Sequence, residues 1–385
     1  MAQQKSSMES NLGQTIFKGI SRIKFLVTNN LIFTISCIAA IVTSFFNFPR
    51  LEYIDFKVVI CLFELMIVVD AFNKYDVLPF IATKVCKRCK TERTLTWALC
   101  LTSFFISMLL TNDVTLFAIV PILIIISIKS SYEIIIPCIL VTISANLGSS
   151  MTPFGNPQNL FLYSFYQMSI PSFFLYSLPV CVLSLVLLFG LGFLIKPKDI
   201  NFEMDHVIIK SKKGTALFAF LSVLIILSIF QVISYLIIFP MVVLVTLLVD
   251  GSLLKKANYP LIFTFVFIFI AVGNVSNIPQ LNNSLLNLVR TPKATYVYSL
   301  LLSQVISNVP ATIVIAPFSS HVQALYYGVN IGGLGTPIAS LASIIAYSLY
   351  SQEYGENKLK FLLNFTVLNF GCLVILGIVG YLLIV

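Results

Sequence analysis

Two polar triplets interrupt apolar stretches of this chain: Thr111-Asn112-Asp113 and Ser307-Asn308-Val309. Hydroxyl, carboxamide and carboxylate oxygens within one short turn form a hard-donor set that suits Na⁺. Each triplet has a companion further on. Asn146 and Gly148 lie in "ANLGSSMTPFGN" (145–156), and Asn330 and Gly332 lie in "VNIGGLGTPIAS" (329–340). A helix broken at such a segment offers N–H groups at the start of one half and free carbonyls at the end of the other. The N–H end attracts anions and the carbonyl end attracts cations. One cation site is therefore expected from Thr111, Asn112 and Asp113 facing Asn146–Gly148. A second is expected from Ser307 and Asn308 facing Asn330–Gly332, with Thr152, Pro153, Asn156, Thr336 and Pro337 holding a substrate between them.

Only the first site carries a carboxylate, because Val309 stands where the first triplet has Asp113. Acids at membrane depth are costly and mark ion or proton pathways, so Asp113 could ligand Na⁺ or carry a proton. Neither tip and neither break contains Lys or Arg. An anion bound there would be held by N–H groups, hydroxyls, amides and bound cations. The same residues leave open a cation exchanger that uses Asp113 directly.

The two halves repeat each other. "SMLLTNDVTLFAIVP" aligns without gaps over "SQVISNVPATIVIAP", matching Ser107 with Ser303, Asn112 with Asn308 and Pro121 with Pro317 at an offset of 196. The glycine-rich breaks match Asn146 with Asn330, Gly148 with Gly332, Thr152 with Thr336 and Pro153 with Pro337 at an offset of 184. Glycines and small polar residues also serve helix packing, which would account for one break alone. Four breaks in two matched pairs require more. Irregular backbone at membrane depth is tolerated where it is buried in protein or lines a cavity. Interrupted segments at corresponding positions of two halves point to a transporter's binding site.

These residues need a scaffold, and composition says which. The 385 residues are 58% hydrophobic and 10% charged, with a mean hydropathy of +0.98. Soluble domains carry about 25% charged residues, so this is an all-α polytopic membrane protein. Continuous rather than alternating apolar runs argue against a β-barrel. Complete spans are expected near 30–48, 56–73, 131–167, 170–194, 214–232, 234–250, 259–276, 321–350 and 359–384. The segments at about 94–128 and 294–320 are expected to be re-entrant hairpins with the triplets at their tips.

The chain opens with a cytoplasmic or interfacial segment at 1–29, amphipathic around Ile16, Phe17, Ile20 and Ile23. A first repeat covers 30–194, a cytoplasmic linker and connecting span 195–232, and a second repeat 233–385. With the N-terminus cytoplasmic and the C-terminus outside, 20 of the 24 basic residues lie inside or at the inner boundary, including those of the loop at 74–93. That is the asymmetry expected of cytoplasmic loops, and the charge of +9 then reports orientation rather than nucleic-acid binding. The first hairpin opens inward and the second outward, an inverted-topology repeat, in a plasma (cell inner) membrane.

The remaining chemistry is sparse. Cys86 and Cys89 form a CxxC in a basic loop with no second ligand pair nearby. Glu64 lies near mid-membrane, open between an ion-pathway role and a bond to a neighbouring helix; Asp70 is expected at an interface, and His206 and His321 at the surface. No intramembrane His and no nucleophile–base pair is present, so no enzymatic reaction, resident metal or cofactor is expected. No GxxxxGK[ST] loop supports ATP drive from this chain.

The ordered set "TNDV", "ANLGSSMTPFGNPQN", "SNVPA" and "VNIGGLGTPIAS" resembles the ion transporter superfamily across roughly residues 30–385. That superfamily includes divalent-anion/sodium symporters, citrate transporters, arsenite permeases and one class of sodium/proton antiporters. The resemblance implies a scaffold, usually homodimeric, and a transport domain of two hairpins and two broken helices that moves as an elevator. The symporter branch has Ser-Asn-Thr at both tips; the acidic tip here looks more like the arsenite-permease and antiporter side. The expected function is secondary active transport of a small anion, dicarboxylate- or citrate-like or an inorganic oxyanion, coupled to Na⁺ or H⁺. The alternative is a Na⁺/H⁺ antiporter or arsenite-type permease using Asp113.

Overall fold

The computed structural model describes residues 31–130, 132–201 and 206–384. The segment read as amphipathic at 1–29 lies outside them. Among the described residues the regular structure is helical, eighteen α-helices with short 3₁₀ turns, and the one β-type contact is an isolated bridge between Thr91 and Asp199.

The described residues form two compact units. The smaller holds α1 (Leu31–Ser44), a 3₁₀ turn at Leu51–Tyr53 and α12 (Tyr259–Ser276). Its helices are joined by apolar packing, with Phe33 and Phe267 ring centroids 5.6 Å apart. One buried amide adds polar contacts: Asn274 Nδ2 donates to Thr43 Oγ1 and Ser44 Oγ, each at 3.2 Å.

The larger unit begins with α2 (Phe56–Lys74), whose first turn is capped by the Asp55 carboxylate accepting from the Val58 N–H. Next comes α3 (Val77–Cys86), inside the stretch expected to be a cytoplasmic loop. It buries Leu78, Ala82, Thr83 and Cys86. The four basic residues between Lys84 and Lys90 start in its last turn, so the charge that suggests a loop belongs to the helix end and to the short connection into the next helix.

Two helices, α4 (Glu92–Leu110) and α5 (Asn112–Ser130), join at the single residue Thr111. A capping box between Thr91 and Thr94 starts α4, satisfying N–H groups the helix itself leaves unpaired. The next helix is interrupted where the glycines and prolines stand: α6 (Ile135–Ser149) stops, and α7 (Pro157–Phe165) restarts after Asn156. Three long apolar helices come after it, α8 (Ile170–Leu191), α9 (Lys212–Ile229) and α10 (Tyr235–Asp250). After the short α11 (Ser252–Lys256), the unit resumes with α13 (Pro279–Leu288).

The second hairpin is α14 (Pro292–Ile306) and α15 (Asn308–Ile315), joined at Ser307. The second broken helix is α16 (Val322–Ile331) and α17 (Leu341–Glu353), with a 3₁₀ turn at Pro337–Ala339 between them. The last helix is α18 (Lys358–Leu382). Both arms of the first hairpin have 19 residues, whereas those of the second have 15 and 8. Proline explains part of the difference: Pro121 is accommodated inside α5, but its counterpart Pro317 lies in the 3₁₀ turn that ends α15.

Six helical segments among the described residues are long and apolar enough to cross a bilayer: Glu92–Leu110, Asn112–Ser130, Ile170–Leu194, Lys212–Ile229, Tyr259–Ser276 and Gly355–Leu382. Large apolar side chains point outward from several helices, with Val186 67%, Leu248 78% and Val367 71% exposed. Buried polar side chains gather at the two breaks, among them Asn146, Asn156, Asn159 and Asn330.

Candidate functional site

The two hairpin tips share one backbone conformation. Thr111 has φ 74° and ψ 150°, and Ser307 has φ 77° and ψ 152°. Non-glycine residues rarely take positive φ, and such strain persists only where surrounding structure fixes it. At each tip the carbonyl of this residue accepts an N–H from four residues on, Thr115 in the first and Ala311 in the second. The turn thereby starts the second arm of the hairpin and places Asn112 and Asn308 at equivalent points.

Each broken helix lies against the first arm of its own hairpin through a glycine. A Cβ on Gly148 would stand 2.2 Å from the Phe104 carbonyl oxygen and 2.6 Å from Ser107 Oγ. A Cβ on Gly332 would stand 2.9 Å from Ser303 Cβ and 3.0 Å from its Oγ. Ser107 and Ser303 are counterparts in the repeat, so the same close approach occurs twice. The threonines repeat as well. Thr152 Oγ1 donates to the Met108 carbonyl at 2.5 Å and Thr336 Oγ1 to the Gln304 carbonyl at 2.9 Å. Both acceptors lie three residues before the tip.

Between the breaks the polar side chains cross from one half to the other. Asn156 caps α7, its Oδ1 accepting from the Asn159 N–H, and its Nδ2 donates to Asn330 Oδ1 at 3.3 Å. Ser340, the counterpart of Asn156 before α17, donates from Oγ to Asn146 Oδ1 at 2.8 Å. Asn146 Oδ1 also accepts from Asn112 Nδ2 at 2.9 Å, which ties the first tip to the cluster. Asn330 Nδ2 donates to Asn159 Oδ1 at 2.8 Å and to the Tyr326 carbonyl. Tyr326 O–H donates to the Ser150 carbonyl, a third link between the breaks.

The first expected grouping, Asn112 against Asn146, is thus brought together directly. The second is arranged differently. Asn330 turns toward Asn156 and Asn159, and the Asn308 amide lies instead beside Gly333, whose Cβ would come within 2.7 Å of Asn308 Nδ2. Ser307 Oγ donates to the Ala339 carbonyl at 3.3 Å. Pro153 and Pro337 lie in the breaks, where a missing N–H costs no helical bond. Asp113 is half-buried in the first turn of α5, with its N–H donated to Asn112 Oδ1 and no ion pair among the described residues. That turn is the positive end of the helix dipole.

Sequence reasoning missed Asn159, Gln304 and Ser340. Asn159 is fully buried and gives its amide to the carbonyls of Ser149, Ser150 and Thr152. Gln304 Nε2 donates to the carbonyls of Gly332 and Leu334, and its Oε1 accepts from the Thr336 N–H. Both hold the free carbonyls that a broken helix leaves behind. Their counterparts by offset are Ser343 and Met108, so neither amide is repeated as an amide.

A family model described as "Citrate transporter" matches residues 22–326. The chain belongs to the citrate transporter family. It is 32% identical over 303 residues to an uncharacterized transporter of Methanocaldococcus jannaschii, covering 77% of this chain and 81% of that one. It is 28% identical over 339 residues to the inner membrane protein YbiR of Escherichia coli, covering 86% and 88%. A shorter match, 28% identical over 164 residues, is to a Dictyostelium discoideum protein that carries the name arsB, covering 40% of this chain and 28% of that one. This member of the family is an integral membrane protein of transporter type, and the described site lies within its larger unit.

Proposed function

We propose that this citrate transporter family member is a secondary active transporter of a small anion, dicarboxylate- or citrate-like or an inorganic oxyanion, coupled to Na⁺ or H⁺. The observation that carries the reading is the reciprocal bonding of the two breaks, Asn156 to Asn330 and Ser340 to Asn146. Two interrupted helices meeting through buried amides and hydroxyls, with no basic side chain in either tip or break, offer an anion no fixed positive charge. An anion entering it needs a cation alongside, and the Thr111-Asn112-Asp113 tip is the place for one. Ser307 and Asn308 supply the second tip, and Gly148 and Gly332 let each broken helix approach its hairpin. Asn156 and Asn330 hold the breaks in register around the substrate, and Thr152 and Thr336 tie each break to its own hairpin arm.

The twofold recurrence of tip geometry, glycine contact and threonine bond supports an inverted-topology repeat that works by elevator-type alternating access. In this reading the chain spans the plasma (cell inner) membrane nine times as a homodimer, with the N-terminus cytoplasmic and the C-terminus outside. No resident cofactor takes part; the coupling ion and the anion are its small-molecule partners. A second reading, Na⁺/H⁺ exchange or arsenite-type permeation, is favoured by one observation: Asp113 is the sole carboxylate in the two tips.

Thermal melting of the purified protein tests the proposal. A ligand that binds only the folded state stabilises it, by about 2.7 kcal/mol at a hundred times its dissociation constant. Citrate, succinate, sulfate or arsenite is expected to raise the midpoint, and Na⁺ or acid pH to enlarge the rise. Stabilisation by Na⁺ alone, with no response to any anion, would favour the Asp113-centred exchanger.

A further inference from the structure

Asn146 and Asn330 are counterparts in the repeat, yet their amides are satisfied unequally. Asn330 uses both ends: Oδ1 accepts from Asn156, and Nδ2 donates to Asn159 Oδ1 and the Tyr326 carbonyl. Asn146 uses one. Its Oδ1 accepts from Asn112 Nδ2 and Ser340 Oγ, while Nδ2 is buried with no hydrogen-bond partner. Asn146 is 5% exposed.

The orientation of this amide is fixed by its neighbours. Asn112 Oδ1 accepts from the Asp113 N–H, so Asn112 presents its NH₂ to Asn146, and Asn146 must answer with oxygen. A carboxamide oxygen has two lone pairs, and two donors already occupy them. Na⁺ requires oxygen ligands, so the Asn146 side chain has no free oxygen to give a cation. What it has left is a donor.

The unequal pairing has a sequence origin. Asn159 supplies the oxygen that Asn330 Nδ2 needs, and the residue 184 positions after Asn159 is Ser343. The serine side chain is too short to repeat the contact, and Ser343 Oγ is itself buried without a partner. Asn146 and Ser343 are therefore two buried polar groups without partners where their counterparts, Asn330 and Asn159, form a closed amide pair. Leaving a buried donor unsatisfied is unfavourable, and such groups in native structures call for a partner.

We infer that Asn146 is an anion contact rather than a cation ligand: its Nδ2 donates to a carboxylate or oxyanion oxygen of the substrate, which takes the place that the Asn159 carboxamide oxygen holds opposite Asn330. This rests on the proposed anion transport and deepens it by naming the donor. Cation coordination then falls to the Thr111-Asn112-Asp113 tip, and the Asn112–Asn146 hydrogen bond joins the cation site to the anion site.

The test compares wild type, Asn146→Asp and Ser343→Asn as full-length protein in liposomes on a sensor membrane. The probe is whichever of citrate, succinate, sulfate or arsenite gives the wild type its largest current. N146D replaces the donor with an acceptor and is expected to raise the half-saturating anion concentration about tenfold or more, the loss of one charge-assisted hydrogen bond. Its half-saturating Na⁺ or H⁺ concentration, measured at saturating anion, is expected not to rise, because the substitution removes no cation ligand and sets a carboxylate beside the Asn112 tip. S343N installs the missing internal acceptor. It is expected to raise the melting temperature and weaken the anion, and it serves if N146D fails to fold. An unchanged anion requirement in S343N, or an N146D that alters the cation requirement alone, would overturn the assignment of Asn146. A wild type silent to every anion would instead overturn the transport reading beneath it.

Discussion

Asn156 and Ser340 stand at the same position before the second half of a broken helix, and each donates a hydrogen bond to the asparagine of the other break. The two contacts are counterparts of each other at the offset of 184, so the breaks are bonded in both directions. This couples the breaks, so neither can move without disturbing the other. Removing one donor is therefore expected to affect both halves. Double-mutant cycles on the Asn156–Asn330 pair, read by thermal melting, should give a coupling energy of about 0.5–3 kcal/mol, the range for residues in one network. A coupling near zero would mean that the breaks are independent.

The paired threonines offer a second check. Thr152→Val and Thr336→Val each delete a hydroxyl that reaches the carbonyl three residues before a tip. Each is expected to destabilise by about 0.5–1.5 kcal/mol, the net value of an ordinary hydrogen bond. Equal losses, measured as shifts in detergent melting temperature, are the signature of equivalent sites.

The glycine contacts yield a contrast within one chain. Gly148→Ala drives a methyl group against the Phe104 carbonyl and is expected to cost about 1–3 kcal/mol, as overpacking does. Gly190→Ala in α8 meets nothing within 4 Å. It should be neutral or stabilise by about 0.5–1 kcal/mol through helix propensity. Melting curves of the two variants should move in opposite directions or only the first should move.

Asn159→Ala removes one side chain from three carbonyls and from Asn330. Buried groups left without partners cost about 1–3 kcal/mol each, so this variant is expected to lose more stability than either threonine variant. Chemical or thermal unfolding in detergent would rank them.

Asp113→Asn tests the tip. If Asp113 holds the coupling cation, the variant is expected to need about tenfold more Na⁺ or to lose its pH dependence, a change of about 1.4 kcal/mol in cation binding. Anion affinity at saturating cation should change less. Unaltered cation dependence in flux measurements would remove Asp113 from the coupling site.

Much of this architecture is legible in the chain because polar residues and helix breakers stand out against long apolar runs. The breaks after Ser149 and Ile331 fall where Gly, Pro and Asn cluster, and the tips fall at the matched triplets. The crossing of side chains is not legible. Offsets of 196 and 184 identify counterparts, but they do not say that a cap in one half reaches the asparagine of the other. The pattern places Asn308 against Asn330, whereas Asn330 is taken by Asn156 and Asn159. Helix α3 is hidden by charge, since Lys84, Lys87, Arg88 and Lys90 make a mostly apolar ten-residue helix resemble the loop beside it. The unequal hairpin arms are hidden for a related reason. Hydropathy reports how long an apolar stretch is, and does not say where a proline is absorbed and where it ends the helix.

Coupled anion transport itself is read from the transport current of the wild-type protein in liposomes on a sensor membrane. Citrate, succinate, sulfate and arsenite would be applied with and without Na⁺, at two pH values. A current on an anion jump that requires Na⁺ or a proton gradient, and vanishes without it, is expected. No response to any anion, together with a current on a Na⁺ jump across a pH gradient, would contradict it and identify the chain as a cation/proton exchanger.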